Sequence, residues 1–225
     1  MVVLATKCYV TGDARDRALD GLRSIVDNEL GDLDVDFEVG VRHDDFVIVT
    51  VEGDDAAVAR NLLRERWGEL PAADEDLVPG EAYVGTLESW DDEGFTLDVG
   101  REVRIPSEEL GLGPGSATQV KERFGLVQHL PMRFVYGEPS RLADTERDRL
   151  YDWSRGAGRV TVNSSTRAEV RATVNRAGHA EDIVTVERLG LLEHSIVCKD
   201  STDPPGLLAS IGRHLPAELS CVVTD

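Results

Sequence analysis

The sequence predicts an α+β fold built from three successive units. Three observations predict it. Helix-period and strand-period segments alternate over residues 1–70. Short strands broken by glycine turns take over from about residue 79. The mixed pattern returns from Arg159 to the end, and such a change of grammar along a chain marks a change of architecture.

In the first unit, Val2 to Val10 is a β-rich opening. Residues Asp13 to Leu30 place Leu19, Leu22, Val26 and Leu30 on one helical face. Val35, Phe37, Val39 and Val41 then alternate with polar residues or glycine, and Arg42-His43-Asp44-Asp45 turns the chain into the apolar run Phe46 to Val51, which reads as a hairpin. A second helix is expected from about Asp54 to Leu70, with Val58, Leu62 and Trp67 facing inward. The order βαββα is ferredoxin-like without a final strand. Residues 71–78 lack apolar periodicity and read as a linker.

Residues 79–138 carry expected strands at Tyr83–Trp90, Phe95–Val99, Glu102–Ile105 and Met132–Tyr136, a density that fits a small OB-type barrel. A short helix is expected from Ala117 to Phe124. Residues 139–225 open with an Arg-rich helix, Asp144 to Ser154. Strands at Arg159–Asn163, Ile183–Arg188, Ser195–Lys199 and Leu219–Val223, with helices at Thr166–Ala177 and Pro205–Leu215, give βαββαβ, again ferredoxin-like. Thr166-x-x-Glu169 is a capping-box signature, and Asp203 before two prolines is a helix start.

Charge narrows the search for a partner. The 225 residues carry 43 acids against 24 Lys and Arg, a formal net charge of −19. Only Lys7, Lys121 and Lys199 are lysines, and the acids run through the whole chain. This pattern predicts a halophilic setting, where a dense negative surface keeps a protein soluble once molar salt screens charge within about 3 Å. Acidity of that origin does not exclude a nucleic-acid partner. Residues 1–78 hold 19 acids and 8 bases, residues 79–138 hold 11 and 5, and residues 139–225 hold 13 and 11. The nearly neutral last segment is therefore where an anionic partner is expected. No long apolar run or basic leader-like opening is present, and three scattered cysteines suit a reduced compartment, so a cytoplasmic protein is expected.

The segment Gly80-Glu-Ala-Tyr-Val-Gly85, continuing through Gly94, Asp98 and Gly100 to Ser107 and Leu110, resembles the RNA-binding OB domain repeated in the large bacterial ribosomal protein S-one. The resemblance covers about 60 of the 225 residues. It implies RNA bound on the barrel, with aromatics stacking on bases and a basic side chain near Arg104. The second strand departs from that pattern, carrying Thr96 where an aromatic is expected and Phe95 on the opposite face. Tyr83 and Phe134 or Tyr136 are the aromatics left to stack on bases. Across the whole chain, Arg123-Phe-Gly-Leu-Val-Gln-His129-Leu-Pro131 and Val186-Glu-Arg-Leu-Gly-Leu-Leu-Glu-His194 resemble a conserved archaeal family of unknown function.

Arg167, Arg171 and Asn175 stand four apart on one expected helix, a spacing that can follow a phosphate backbone or simply form a solvated face. Arg147, Arg149, Arg155 and Arg159 either extend the row or pair with the acids among them. The Gly111-x-Gly113-x-Gly115-Ser116 loop resembles half of a helix–hairpin–helix element but lacks the Lys-Ser/Thr of a nucleotide loop. Glu193 to Asp200 with Asp203 to Leu208 resembles the strand–loop–helix of small amino-acid-sensing domains. No nucleophile elbow, paired Cys-x-x-Cys or His-Glu-x-x-His stands in the sequence, and the five histidines are dispersed. The expectation is a non-enzymatic RNA-binding or ribonucleoprotein-associated factor without cofactor or metal. Its candidate contacts are Tyr83, Phe95, Arg104, Phe134, Arg167 and Arg171. A protein–protein adaptor and a small-ligand-responsive protein are the alternatives.

Overall fold

In the computed structural model, which describes residues 1–72 and 74–222, six α-helices and three antiparallel sheets form a mixed α+β protein. The first sheet comprises β1 (Val2–Lys7), β2 (Asp36–Val41) and β3 (Phe46–Glu52), in the order β1-β3-β2. Helices α1 (Asp13–Leu30) and α2 (Ala56–Trp67) accompany it. Along α1 the stripe Ala18, Leu22, Val26 and Leu30 is buried, as a period of 3.6 requires. Where a fourth strand would lie beside β1, the chain after α2 makes a single antiparallel bridge from Glu69 to Leu4.

The expected inward face of α2 is corrected. Ala59, Leu63 and Trp67 are buried, whereas Val58 is 48% and Leu62 39% exposed. The buried stripe sits one residue later than expected, with Ala59 and Leu63 covered by the neighbouring elements in place of Val58 and Leu62.

The central sheet comprises β4 (Ala82–Asp91), β5 (Gly94–Asp98), β6 (Glu102–Pro106), β7 (Pro131–Val135) and β8 (Arg141–Leu142), in the order β6-β5-β4-β7-β8. It curls into a half-barrel. A 3-10 turn at Ser107–Glu109 and helix α3 (Ala117–Arg123) link β6 to β7. The two-residue β8 is absent from the expected elements, being too short to show periodicity. Helix α4 (Asp144–Ser154) sends Leu150 and Trp153 into the same core as the barrel strands, so the Arg-rich helix packs on the central sheet.

The last sheet comprises β9 (Arg159–Val162), β10 (Ile183–Arg188), β11 (His194–Cys198) and β12 (Leu219–Val222), in the order β10-β11-β9-β12. Helices α5 (Arg167–Arg176) and α6 (Pro204–Gly212) supply the crossovers, and the expected capping box at Thr166 and Glu169 is present. Val223, expected to finish the final strand, lies outside the described residues.

The units share side chains across their boundaries. Alternation along β1 and β3 sends Leu4 and Val47 into the N-terminal core but Ala5 and Phe46 into the central one. The turn between β10 and β11 inserts Leu191 and Leu192 into the N-terminal core. Burying each such leucine contributes roughly 1.5–3 kcal/mol, so the three units brace one another. No helix among the described residues is long and apolar enough to cross a membrane.

Candidate functional site

The last turn of α2 ends in Arg66 and Trp67, with Trp67 buried and Arg66 turned to solvent. Beyond it runs β10, an edge strand whose final residue is Arg188. The Arg188 guanidinium lies 5.9 Å from the centre of the Trp67 ring, close enough for a cation–π contact between the N-terminal and C-terminal units. Arg167 takes the first position of α5 and folds back so that its Nε donates to the Val186 carbonyl at 2.6 Å. That bond fixes the stem and leaves both terminal nitrogens for the surroundings. Arg66, Arg167 and Arg188 thus line one open groove of about 380 Å³.

The electrostatics of this groove are unusual for so acidic a chain. Arg66 shares one contact with Glu29 at 3.3 Å. Among the described residues, no carboxylate comes within 4 Å of Arg167, Arg171 or Arg188, while Glu187 on the rim is engaged by Arg159. Burial, then the nearby Arg167 and Arg66 charges, holds the Arg188 guanidinium below its ordinary value. Directly across the β10–β11 ladder stands His194, a register partner on the same face of the sheet. Its ring is fully buried, and neither nitrogen has a partner among the described residues. Burial, then the Arg188 charge, pushes the imidazole down to about 3, so it is neutral.

Behind the groove, the three units meet in a polar junction. The Tyr9 hydroxyl donates to Glu193 Oε1 at 2.6 Å and accepts from the Ser164 N–H at 2.9 Å. The Tyr9 ring stacks on His129 with centroids 3.9 Å apart, and His129 Nδ1 lies 3.2 Å from Glu88 Oε1. Lys7 donates to Glu88 at 2.9 Å and to Asp98 at 2.8 Å. Partial burial pushes Glu88 up, but hydrogen bonds from His129, Lys7 and Thr86 outweigh it and hold the carboxyl at about 2. Glu193 is fully enclosed, and burial pushes it up to about 8. His129 and Ser164 both adopt positive φ, 66° and 56°, a conformation non-glycine residues occupy where surrounding structure over-determines them. Gly190 suits this place because a Cβ on it would collide with Glu193 Oε2 and stand 3.1 Å from the Pro131 ring. The segments 123–131 and 186–194 therefore converge on one junction.

The expected contact residues do not form one surface. Phe95 and Phe134 are corrected: both are fully buried in the central core, because their positions alternate inward on β5 and β7, and neither presents a face to a base. Tyr83 is half-buried, accepts from the Val78 N–H at 3.0 Å, and lines a separate cleft with Arg42 and Arg64. Arg104 is paired with Asp91 and donates to Thr96 Oγ1 at 3.1 Å. Arg167 lies in the groove, and Arg171 is exposed one turn further along α5. Arg66 and Arg188 are the residues that sequence reasoning missed. Arg188 lies inside the quoted Val186–His194 segment, which was the one available signal, and nothing local to the sequence marks Arg66.

The other candidates are filled or open. Arg123 donates to the carbonyls of Leu112 and Pro114, so a guanidinium occupies the glycine loop. Asp203 caps α6 by accepting from the Gly206 N–H at 3.2 Å, beside an open cleft lined by Arg155, Asp200 and Thr202. Arg147 and Arg141 both pair with Asp144, and Arg149 with Glu146, so this row is internally neutralised. Cys198 is buried and Cys221 partly so. Among the described residues, no group of three or more His, Cys, Asp or Glu side chains is placed to hold a metal ion.

Three family models account for nearly the whole chain. The DUF2110 N-terminal domain matches residues 1–73, the DUF2110 central domain residues 77–154, and the DUF2110 C-terminal domain residues 157–223. The chain belongs to the DUF2110 family. No curated protein matches it.

Proposed function

We propose that this member of the DUF2110 family is a non-enzymatic RNA-binding or ribonucleoprotein-associated factor that meets phosphate at the Arg66–Arg167–Arg188 groove. One observation carries the reading. In a chain of net charge −19, guanidinium groups from two units share a groove, and neither Arg167 nor Arg188 has a carboxylate partner among the described residues. Unneutralised arginine is the side chain best suited to bidentate phosphate contacts.

The central unit is an OB-type barrel serving as a frame. What supports this is the order β6-β5-β4-β7-β8 with α3 placed between β6 and β7. The flanking units are ferredoxin-like, a reading supported by the order β10-β11-β9-β12 and by the three-stranded β1-β3-β2 sheet. With Phe95 and Phe134 buried, base stacking on the barrel falls to Tyr83 and Tyr136, both half-buried, and contributes little. The acidic surface and scarce lysine support a halophilic, cytoplasmic setting, where counterion release is weak and close guanidinium contacts carry the affinity.

The test is ultraviolet crosslinking in cells, purification at native salt and sequencing of attached RNA. Crosslinks beside residues 66, 167 and 188, lost in an Arg167→Ala/Arg188→Ala variant, are expected. Unchanged crosslinking in that variant removes the groove from the reading, and no crosslinked RNA removes the reading itself.

One observation favours a second reading, a protein–protein adaptor. Val58 and Leu62 stand exposed on α2, and Leu62 lines a shallow groove with Glu29, Glu65 and Arg66. A stoichiometric protein partner lost on Leu62→Glu, with no RNA attached, would replace the first reading by this one.

A further inference from the structure

We infer that the Arg66–Arg167–Arg188 groove is a socket for a single terminal phosphate monoester, carried by the end of an RNA strand or by a small phosphorylated molecule, and not a track for consecutive phosphodiesters. The inference rests on the reading that this groove binds phosphate.

The first argument is convergence. The three arginines come from α2, from the start of α5 and from the end of β10, and they meet in one groove of about 380 Å³ instead of forming a row. That volume suits a phosphate and part of the group bearing it. A diester backbone instead needs cations repeated along its length.

The second is the surrounding charge. Beyond Arg66 the surface passes to Glu29 and Glu65, and the opposite rim carries Glu187. A strand continuing past the groove would run over acids. A chain that ends in the groove avoids that repulsion, and its terminal monoester is a dianion near neutral pH, matching Arg167 and Arg188, which lack carboxylate partners among the described residues, better than a singly charged diester does.

The third is His194. It is the ladder partner of Arg188, lies on the same sheet face, is fully buried and leaves both ring nitrogens unsatisfied among the described residues. Held neutral by burial, that ring gives the neighbouring Arg188 guanidinium no counter-charge, which leaves the cation to a ligand in the groove.

The experiment titrates the full chain, by calorimetry at a salt concentration that keeps it folded, with one short RNA of fixed sequence. That RNA is made with a phosphate at the 5′ end, with one at the 3′ end, and with hydroxyls at both. Adenosine monophosphate and adenosine are run as competitors. The expected result is at least tenfold tighter binding of one phosphorylated form than of the dihydroxyl form, with competition by the monophosphate and none by adenosine. Arg188→Gln and Arg167→Gln should each reduce that preference at least tenfold, while Arg213→Ala, at an exposed arginine outside the groove, should leave it intact. If Arg188→Gln unfolds, Arg167→Gln carries the test, since its side chain reaches solvent. Equal affinity for all three RNAs overturns the monoester socket but leaves RNA binding standing. Binding of the monophosphate with no binding of any RNA supports the socket and removes the RNA reading. No binding of any probe overturns both.

Discussion

Tyr9 and Glu193, 184 residues apart, are joined by a hydrogen bond of 2.6 Å from the tyrosine hydroxyl to Oε1 of the carboxyl. The bond ties the loop after β1 to the turn just before β11, and the same hydroxyl accepts the Ser164 N–H. It is one of the points at which the N-terminal and C-terminal units hold each other, beside the Arg188–Trp67 contact and the insertion of Leu191 and Leu192. The Tyr9 ring, by stacking on His129, also brings in the central unit.

Because burial raises Glu193 to about 8, the folded protein retains a proton that the unfolded chain releases above the ordinary value of 4.5. The stability from burying the neutral acid is therefore complete below pH 4.5 and declines as pH rises to about 8. Glu193→Gln keeps an acceptor for Tyr9 and cannot ionise. Chemical denaturation at pH 5 and pH 8.5 should show the variant gaining on the native protein by on the order of a few kcal/mol across that interval. A difference between the two proteins that does not change with pH would refute the assignment.

Glu88 has the opposite sign. Its folded value of about 2 lies below 4.5, so its contribution is whole above pH 4.5 and is lost as pH falls toward 2. Glu88→Gln should flatten the acid limb of the stability profile, measured by thermal unfolding between pH 5 and pH 3, and leave the alkaline limb unchanged.

Tyr9→Phe keeps the stacked ring and deletes only the hydroxyl. The Ser164 N–H and the Glu193 carboxyl then lose a common partner in an enclosed site, at a cost of about 1–3 kcal/mol. Combined with Glu193→Ala, which removes the acceptor, the two losses should be non-additive in a double-mutant cycle, since both delete the same hydrogen bond.

Phe95 and Phe134 are core residues, and truncation to alanine should cost about 3–5 kcal/mol each. The informative variants are Phe95→Leu and Phe134→Leu, which remain folded. Their RNA affinity at native salt should stay within about twofold of the native value, as expected for side chains that reach no ligand. A selective loss of affinity with unchanged unfolding behaviour would return these rings to the binding surface.

Gly125→Ala tests the seam between the central and C-terminal units. Gly125 has φ of 60°, and a Cβ there would stand 2.9 Å from a Val222 methyl. Backbone strain of about 1–3 kcal/mol adds to the clash, so the unfolding midpoint should fall by several degrees in calorimetry.

The element order was legible because it depends on local signals. Alternation in Val35–Val41, the helical stripe Leu22–Val26–Leu30, and the Thr166–Glu169 capping box each act within a few residues. Where the signal was ambiguous, the outcome turned on packing. The α2 stripe Ala59–Leu63–Trp67 won over Val58–Leu62 because a neighbouring element selects which of two adjacent apolar stripes it covers. Phe95 and Phe134 point inward because the curl of the half-barrel decides which face of each strand is interior, and that curl is a property of five strands together.

The candidate site was only partly readable for the same reason. Residue types and their local spacing set the helices, the strands, the acidic surface and the scarcity of cations, so Arg167 and Arg171 could be singled out. Which arginines stay unpaired is a matter of distance between units: Arg147 and Arg149 find Asp144 and Glu146 three residues away, whereas Arg66, Arg167 and Arg188 meet across a groove no local pattern encodes. Periodicity records the secondary structure that each segment prefers. The Coulomb and desolvation energies that give a charged side chain its role depend on through-space neighbours, and the packing of three units supplies those.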